Sequence, residues 1–208
     1  MVFASLNNLK RMMDKNILFE VIIMPLPLGH AAIGFAAHSV ISKEIGPINK
    51  WKLAVFIVIL SNLPDIDVLI GLVLQNNGSV FHRGPTHSIV FALLMGFVAS
   101  KLSEIWRRIP AVSFKVCFAL VLSHVVADYF LTNSPVSFFW PFEVSWSTGN
   151  AGWGEVFNTV LFGAAKETGI FICCTAVILL AMIFKKVHYA GKLRQLTSVK
   201  KPKSDLHV

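Results

Sequence analysis

Charge is scarce in this chain. Only 14% of its 208 residues are Asp, Glu, Lys or Arg, while 55% are hydrophobic. A soluble domain carries about a quarter charged residues, so an ordinary soluble domain is excluded. Cysteine is nearly missing as well. Cys117, Cys173 and Cys174 all lie inside apolar runs. None has C-x-x-C spacing, and an adjacent pair is poorly placed for a structural disulfide, so these residues are small apolar fillers that mark no redox compartment. No internal repeat or low-complexity tract is visible. No recognition motif accompanies the net charge of +8, so nucleic acid is not an expected partner.

What is present is blocky apolarity. Five apolar blocks cover residues 25–42, 53–74, 88–105, 114–131 and 169–184. A helix needs about 20 residues to cross the hydrocarbon core, within a range of roughly 17–25. The first four blocks fit, and the last is marginal. It is preceded by a shorter stretch at 156–165, cut off by Lys166 and Glu167, which is either interfacial or re-entrant. The expected fold is therefore all-α: a polytopic membrane helical bundle of about five transmembrane helices.

Lys and Arg in short loops set orientation. Lys43, Lys50 and Lys52 share one loop, Arg107, Arg108 and Lys115 another, and Lys185, Lys186, Lys192, Arg194, Lys200, Lys201 and Lys203 the tail. Five spans place all three groups on one side, which the rule makes cytoplasmic. Lys10, Arg11 and Lys15 disagree, because a start ahead of the first span lies outside. The disagreement disappears if the natural start is Met24, or if residues 1–23 form their own turn or span. The organisation expected is an N-terminal segment 1–23, a membrane-embedded domain 24–184 and a basic cytoplasmic tail 185–208, whose end SVKKPKSDLHV reads as disordered.

Against this apolar background the ionisable residues stand out. An Asp at the centre of a span costs roughly 2.5–3.5 kcal/mol on insertion scales. Asp65 and Asp67 nevertheless lie in SNLPDIDVLIGL, in the second block. Two residues apart, they point to different faces of a regular helix. Pro64 removes a backbone donor and loosens the turn, so either both carboxylates converge or one ligates and the other supports. The plain alternative is a proline kink with two hydrated acids. His82 and His87 lie in FHRGPTHS. Five apart, they diverge on one helix, but the Gly84-Pro85 turn allows them to face one point. Ser88 or Thr86 is placed to cap the helix that follows, and Arg83 adds a charge suited to a phosphate; incidental loop histidines are the bland reading. His124 and Asp128, four apart in LSHVVADYFL, share a helix face and are either ligands or a hydrogen-bonded pair linking helices. His30 and His38 are eight apart, more than 10 Å along the axis, so they cannot serve one metal. His30 is the favoured ligand and His38 a packed or interfacial histidine.

Depth connects these pairs. With five spans, His30, Asp65, Asp67, His82, His87, His124 and Asp128 all fall toward the extracytoplasmic half. Mixed His and carboxylate ligands suit zinc, manganese or iron; haem would need paired axial ligands instead. Aromatics in SFFWPFEVSW and Trp153 suit the membrane interface on that same side, or a lid beside the site, with Glu143 as a further ligand or base candidate.

In order, Gly29-His30, PDID (64–67), HRGPTHS (82–88), HVVAD (124–128) and WPF (140–142) resemble the predicted membrane-bound metal-dependent hydrolases, a family that includes a LexA-regulated inner-membrane type. The likeness covers about residues 24–145. HRGPTHS after PDID is its specific part; HVVAD alone is not. The order of His and Asp is also similar to that of zinc-dependent phospholipase C and the S1/P1-type nucleases, all-α enzymes that hydrolyse phosphoesters with clustered zinc. Their later His…His-x-x-x-Glu set is missing, since only His188 and His207 follow. The resemblance implies a hydrolase acting on a phosphoester of a lipid or other membrane-associated substrate. Its metal ligands would be His30, Asp65, His82, His87, His124 and Asp128, with Asp67 as proton acceptor and Arg83 stabilising charge. Intramembrane acids also mark ion pathways, which keeps a transporter open, and a closed four-ligand site would make the metal purely structural.

Overall fold

The structure is a computed structural model that describes residues 27–42, 49–76, 78, 80–131, 135–142 and 166–199. Residues 1–23, the stretch 156–165, Glu143 and Trp153 lie outside the described residues. Six α-helices are present among the described residues: α1 Pro27–Ile41, α2 Lys50–Ser61, α3 Ile66–Gln75, α4 Ile89–Ile105, α5 Phe114–Leu131 and α6 Lys166–Val199. Short 3-10 turns at Leu63–Asp65 and Pro85–His87 connect α2 to α3 and lead into α4.

The second apolar block does not form one helix. Asn62 ends α2, its backbone N–H reaching back to Ile59 and Leu60 and its side chain donating to the Val58 carbonyl at 2.8 Å. Pro64, which has no N–H to continue the ladder, sits in the 3-10 turn, and α3 leaves at 54° to α2. The last block gives more helix than its apolar length predicts. The helix runs 34 residues through Lys185 and Lys186 to Val199, so the first part of the basic segment extends the span instead of breaking away.

Helix α5 is the hub, packing against α1, α2 and α4. Its buried residues Cys117, Leu120, Val121, His124, Ala127, Asp128 and Leu131 recur every three or four positions, which makes one continuous inward stripe. The stripe begins apolar, in a core shared with Phe56, Ile57, Leu60 and Ala92, and becomes polar at His124. Two glycines permit close crossings. A Cβ on Gly96 of α4 would stand 2.7 Å from the Phe118 Cα of α5, and one on Gly34 of α1 would stand 2.7 Å from the Ser61 Cβ of α2.

The outer surface is apolar: Val58, Ile59, Leu69, Val73, Leu94, Phe97, Leu179 and Ile183 are all exposed. A surface of that kind is placed against lipid more readily than water. Helices α5 and the Thr168–Lys192 part of α6 are long and apolar enough to cross a membrane, and the bent α2–α3 pair makes a third crossing if it is one span.

The bundle has two chemically distinct ends. Lys50 and Lys52 open α2, Arg107 and Arg108 follow α4, and Lys115 opens α5. Lys185 of α6 donates to the Ser42 carbonyl, just past the end of α1, at 2.6 Å. The opposite end receives the start of α1, the end of α2, the start of α4 and the end of α5, and there the His and Asp residues collect.

Candidate metal centre

Each element delivers a side chain because of how it starts or stops. His30 lies in the first turn of α1 and Asp65 closes the 3-10 turn at the bend. His87 closes the second 3-10 turn, and the Ser88 side chain caps α4 by accepting from the Phe91 N–H at 3.0 Å. His124 and Asp128 come from successive turns of the α5 stripe. His30, His87, His124 and Asp128 are fully buried, whereas the Asp65 side chain is 23% exposed. Asp65 therefore marks the open side of the cluster.

The potential ligand atoms lie close together. His124 Nε2 stands 3.2 Å from Asp65 Oδ1. His87 Nε2 is 3.6 Å from the same oxygen and 3.3 Å from Asp128 Oδ2. His30 Nε2 is 3.4 Å from Asp128 Oδ1, and its ring stacks on His124 with centroids 3.8 Å apart. Ligands at the usual zinc bond length of roughly 2.0–2.2 Å in a tetrahedron are separated by about 3.3–3.6 Å. Asp65, His87, His124 and Asp128 thus have the spacing of a ligand set, and one atom from each lies within 4.8 Å of all the others.

Hydrogen bonding fixes which nitrogens face inward. His124 Nδ1 lies 2.7 Å from the Ser61 carbonyl. A carbonyl only accepts, so Nδ1 carries the proton and Nε2 keeps its lone pair. His87 Nδ1 lies 3.1 Å from Asp67 Oδ2, which turns its Nε2 toward Asp65 and Asp128. The Nε2 atoms of His30, His87 and His124 and Oδ1 of Asp65 are buried and form no hydrogen bond. Buried polar atoms are ordinarily satisfied, and one cation would satisfy those of Asp65, His87 and His124 together. His87 lies just ahead of the third apolar block. Burial opposes its charge, but the carboxylates of Asp128, Asp65 and Asp67 outweigh burial and raise its pKa from 6.5 to about 10. The site attracts positive charge.

Asp67 is placed differently from Asp65. Its Oδ2 accepts from the Arg83 backbone N–H at 3.2 Å, from the Thr86 hydroxyl and from His87 Nδ1, while Oδ1 lies 3.2 Å from His82 Nδ1. It ties the whole 82–87 turn to the start of α3. Asp67, His82 and His87 also form a second grouping with metal-site spacing. Arg83 holds a left-handed φ of 65°, an uncommon conformation for a residue with a side chain, and its Nε reaches to 3.5 Å from Asp128 Oδ2. The aromatic segment braces this turn: Ser137 N–H donates to the Arg83 carbonyl and Ile89 N–H to the Phe138 carbonyl.

The structure brings together His30, Asp65, Asp67, His82, Arg83, His87, His124 and Asp128. It leaves His38 at the other end of α1. Ser88, not Thr86, is the helix cap. Ser61 and Thr86 take part through hydrogen bonds that sequence spacing did not reveal: a backbone carbonyl carries no side-chain signature, and Thr86 was legible only as a neighbour of His87.

The sequence profile of the YdjM inner membrane protein family matches residues 24–190. The chain belongs to that family. It is also similar to inner membrane protein YbcI of Escherichia coli (strain K12), at 30% identity over 123 residues, covering 58% of this chain and 69% of that protein. Both names place the relatives in the inner membrane and neither states an activity. No solved structure matches the chain.

Proposed function

We propose that this membrane protein is a metal-dependent hydrolase of a phosphoester on a lipid or another membrane-associated substrate. The observation that carries the proposal is the inward Nε2 atoms of His87 and His124, each ring held by a contact on its far nitrogen, beside two carboxylates and an arginine. Asp65, His87, His124 and Asp128 would hold a divalent cation, zinc first by its ligand set and manganese or iron next, with His30 adjoining through Asp128. Such an ion supplies Lewis acidity and a lowered pKa for water. Arg83 lies beside Asp128, where its guanidinium would bind a phosphoryl oxygen and balance developing charge. Asp67 and His82 would handle the proton. Asp67 Oδ1 holds His82 Nδ1, and His82 Nε2 has no hydrogen-bond partner, so it is available to accept. The partly exposed edge at Asp65 is the entry side.

The same proposal includes five passages of the bundle, with α1 and α4 as spans. At 15 and 17 residues they reach about 22 and 25 Å, just under a bilayer core of about 30 Å. Positive residues at one end then put the C-terminal tail in the cytoplasm and the His/Asp cluster on the extracytoplasmic side.

Metal analysis of detergent-purified protein, followed by a panel of phosphoester substrates, is the test. About one divalent ion per chain is expected, lost in His87→Ala and His124→Ala, with hydrolysis that follows metal content. Metal-free protein with unaltered behaviour in both variants refutes the site. Stoichiometric metal with no hydrolysis, and metal- or proton-dependent flux in proteoliposomes, would favour transport; the 54° break beside Asp65 is the feature that suits that second reading.

A further inference from the structure

The end of the bundle remote from the His/Asp cluster carries a cleft that the proposed hydrolase does not use. Asn49, Lys52, Ser103, Glu104, Arg107 and Arg108 line it, and its volume is about 430 Å³. Local structure builds it. The Asn49 side chain accepts from the Trp51 and Lys52 N–H groups and caps α2. Across the cleft α4 ends at Trp106, whose N–H reaches the Leu102 carbonyl, and the following turn is closed by Ile109 N–H on the Trp106 carbonyl. That turn projects Arg107 and Arg108, both exposed, toward the start of α2.

Charge and position together identify the ligand chemistry. Three cations line the cleft, and the one acid, Glu104, is engaged by Lys101 outside it at 2.6 Å. Two guanidinium groups and an ammonium match a phosphate, which Arg binds through paired N–H donors. Next to the lining residues in sequence stand exposed apolar and aromatic side chains: Trp51 is 76% exposed, Ile105 84% and Trp106 58%. Trp favours the level of the lipid headgroups. The 17 residues of α4 separate the cleft from His87 by about 25 Å, close to the thickness of a bilayer core, so the cleft sits at the opposite membrane face. Basic pockets between helices at such a face hold anionic headgroups.

We infer that this cleft binds the phosphate of an anionic phospholipid headgroup through Lys52, Arg107 and Arg108. The site is independent of the proposed hydrolysis, on a different face and with different residues.

The test uses the full chain in nanodiscs of phosphatidylcholine alone, of phosphatidylcholine with phosphatidylglycerol, and of phosphatidylcholine with added inorganic phosphate. Thermal unfolding is followed in each, and retained lipid is counted by native mass spectrometry. Wild type should be stabilised by phosphatidylglycerol and retain it as a discrete adduct. The combined Lys52→Gln, Arg107→Gln and Arg108→Gln variant should lose the stabilisation and retain the lipid on the order of 100-fold less tightly, from the usual contribution of each basic residue near a membrane surface. A control with the same charge change elsewhere, Lys115→Gln, Lys186→Gln and Lys192→Gln, should retain the adduct. Equal loss in both variants would show diffuse surface electrostatics and overturn the cleft. Full retention in the cleft variant would overturn it also. Stabilisation by inorganic phosphate that phosphatidylglycerol does not exceed would overturn the lipid as source. Adduct counting reads binding directly, so it decides the matter even if the cleft variant melts earlier in phosphatidylcholine.

Discussion

Asp67→Asn separates two roles for the carboxylate that organises the 82–87 turn. In the wild type, Asp67 accepts from His82, Arg83, Thr86 and His87 through two oxygens. The asparagine keeps one acceptor oxygen and replaces the other with a donating NH2, which must face donors already present. Either the His87 ring loses the partner that fixes its Nδ1 proton, or the turn loses its tie to α3. Partners of that kind typically contribute 10–100-fold in metal affinity, or about 1.4–2.7 kcal/mol. Zinc competition against a chromogenic chelator, in detergent, measures this directly. Affinity should fall by that factor, and the hydrolysis rate at saturating zinc should recover in part. Unchanged affinity would refute the orienting role. Unchanged affinity with abolished hydrolysis would instead make Asp67 a direct proton acceptor.

Three further outcomes follow from the packing. Gly34→Ala places a methyl 2.7 Å from the Ser61 Cβ, and overpacking of this kind costs typically 1–3 kcal/mol; because the Ser61 carbonyl holds His124, both thermal stability and zinc affinity should drop. Gly96→Ala crowds Phe118 equally closely, but about 10 Å from the start of α4, so stability should drop while the affinity of the folded protein is kept; equal affinity losses in the two variants would sink this distinction. Arg83→Gly relieves a left-handed backbone that costs a side-chain-bearing residue roughly 1–2 kcal/mol. It should melt above Arg83→Ala, and both should lose the proposed phosphoester hydrolysis; the reverse melting order would show that the turn is not strained.

Much of the site was legible because the membrane makes polar residues conspicuous. Asp65, His124 and Asp128 stood out as ionisable groups in apolar runs and His87 at the edge of one, and the spacing of His124 and Asp128 gave their shared face directly. The Asp65–Asp67 question was left open by the two-residue spacing. Sequence showed that Pro64 would distort the helix, but not that the bend places Asp65 Oδ1 by His124 and turns Asp67 toward the 82–87 turn. His82 was expected as a metal ligand and Arg83 as the group stabilising charge on a substrate. The structure places them against Asp67 and Asp128, because the turn folds back under the aromatic segment that braces it.

Composition alone determined that this chain belongs in a bilayer, since its scattered charge cannot cover a soluble surface and its apolar blocks are nearly span length. Sequence also determined the chemical types available at the polar end. Only tertiary structure decided which nitrogen of each histidine faces inward, because that depends on a carbonyl or carboxylate brought from another helix. It alone also decided that Lys52 and Arg107 share a cleft, since residues more than fifty positions apart meet only when α2 starts and α4 ends at the same face.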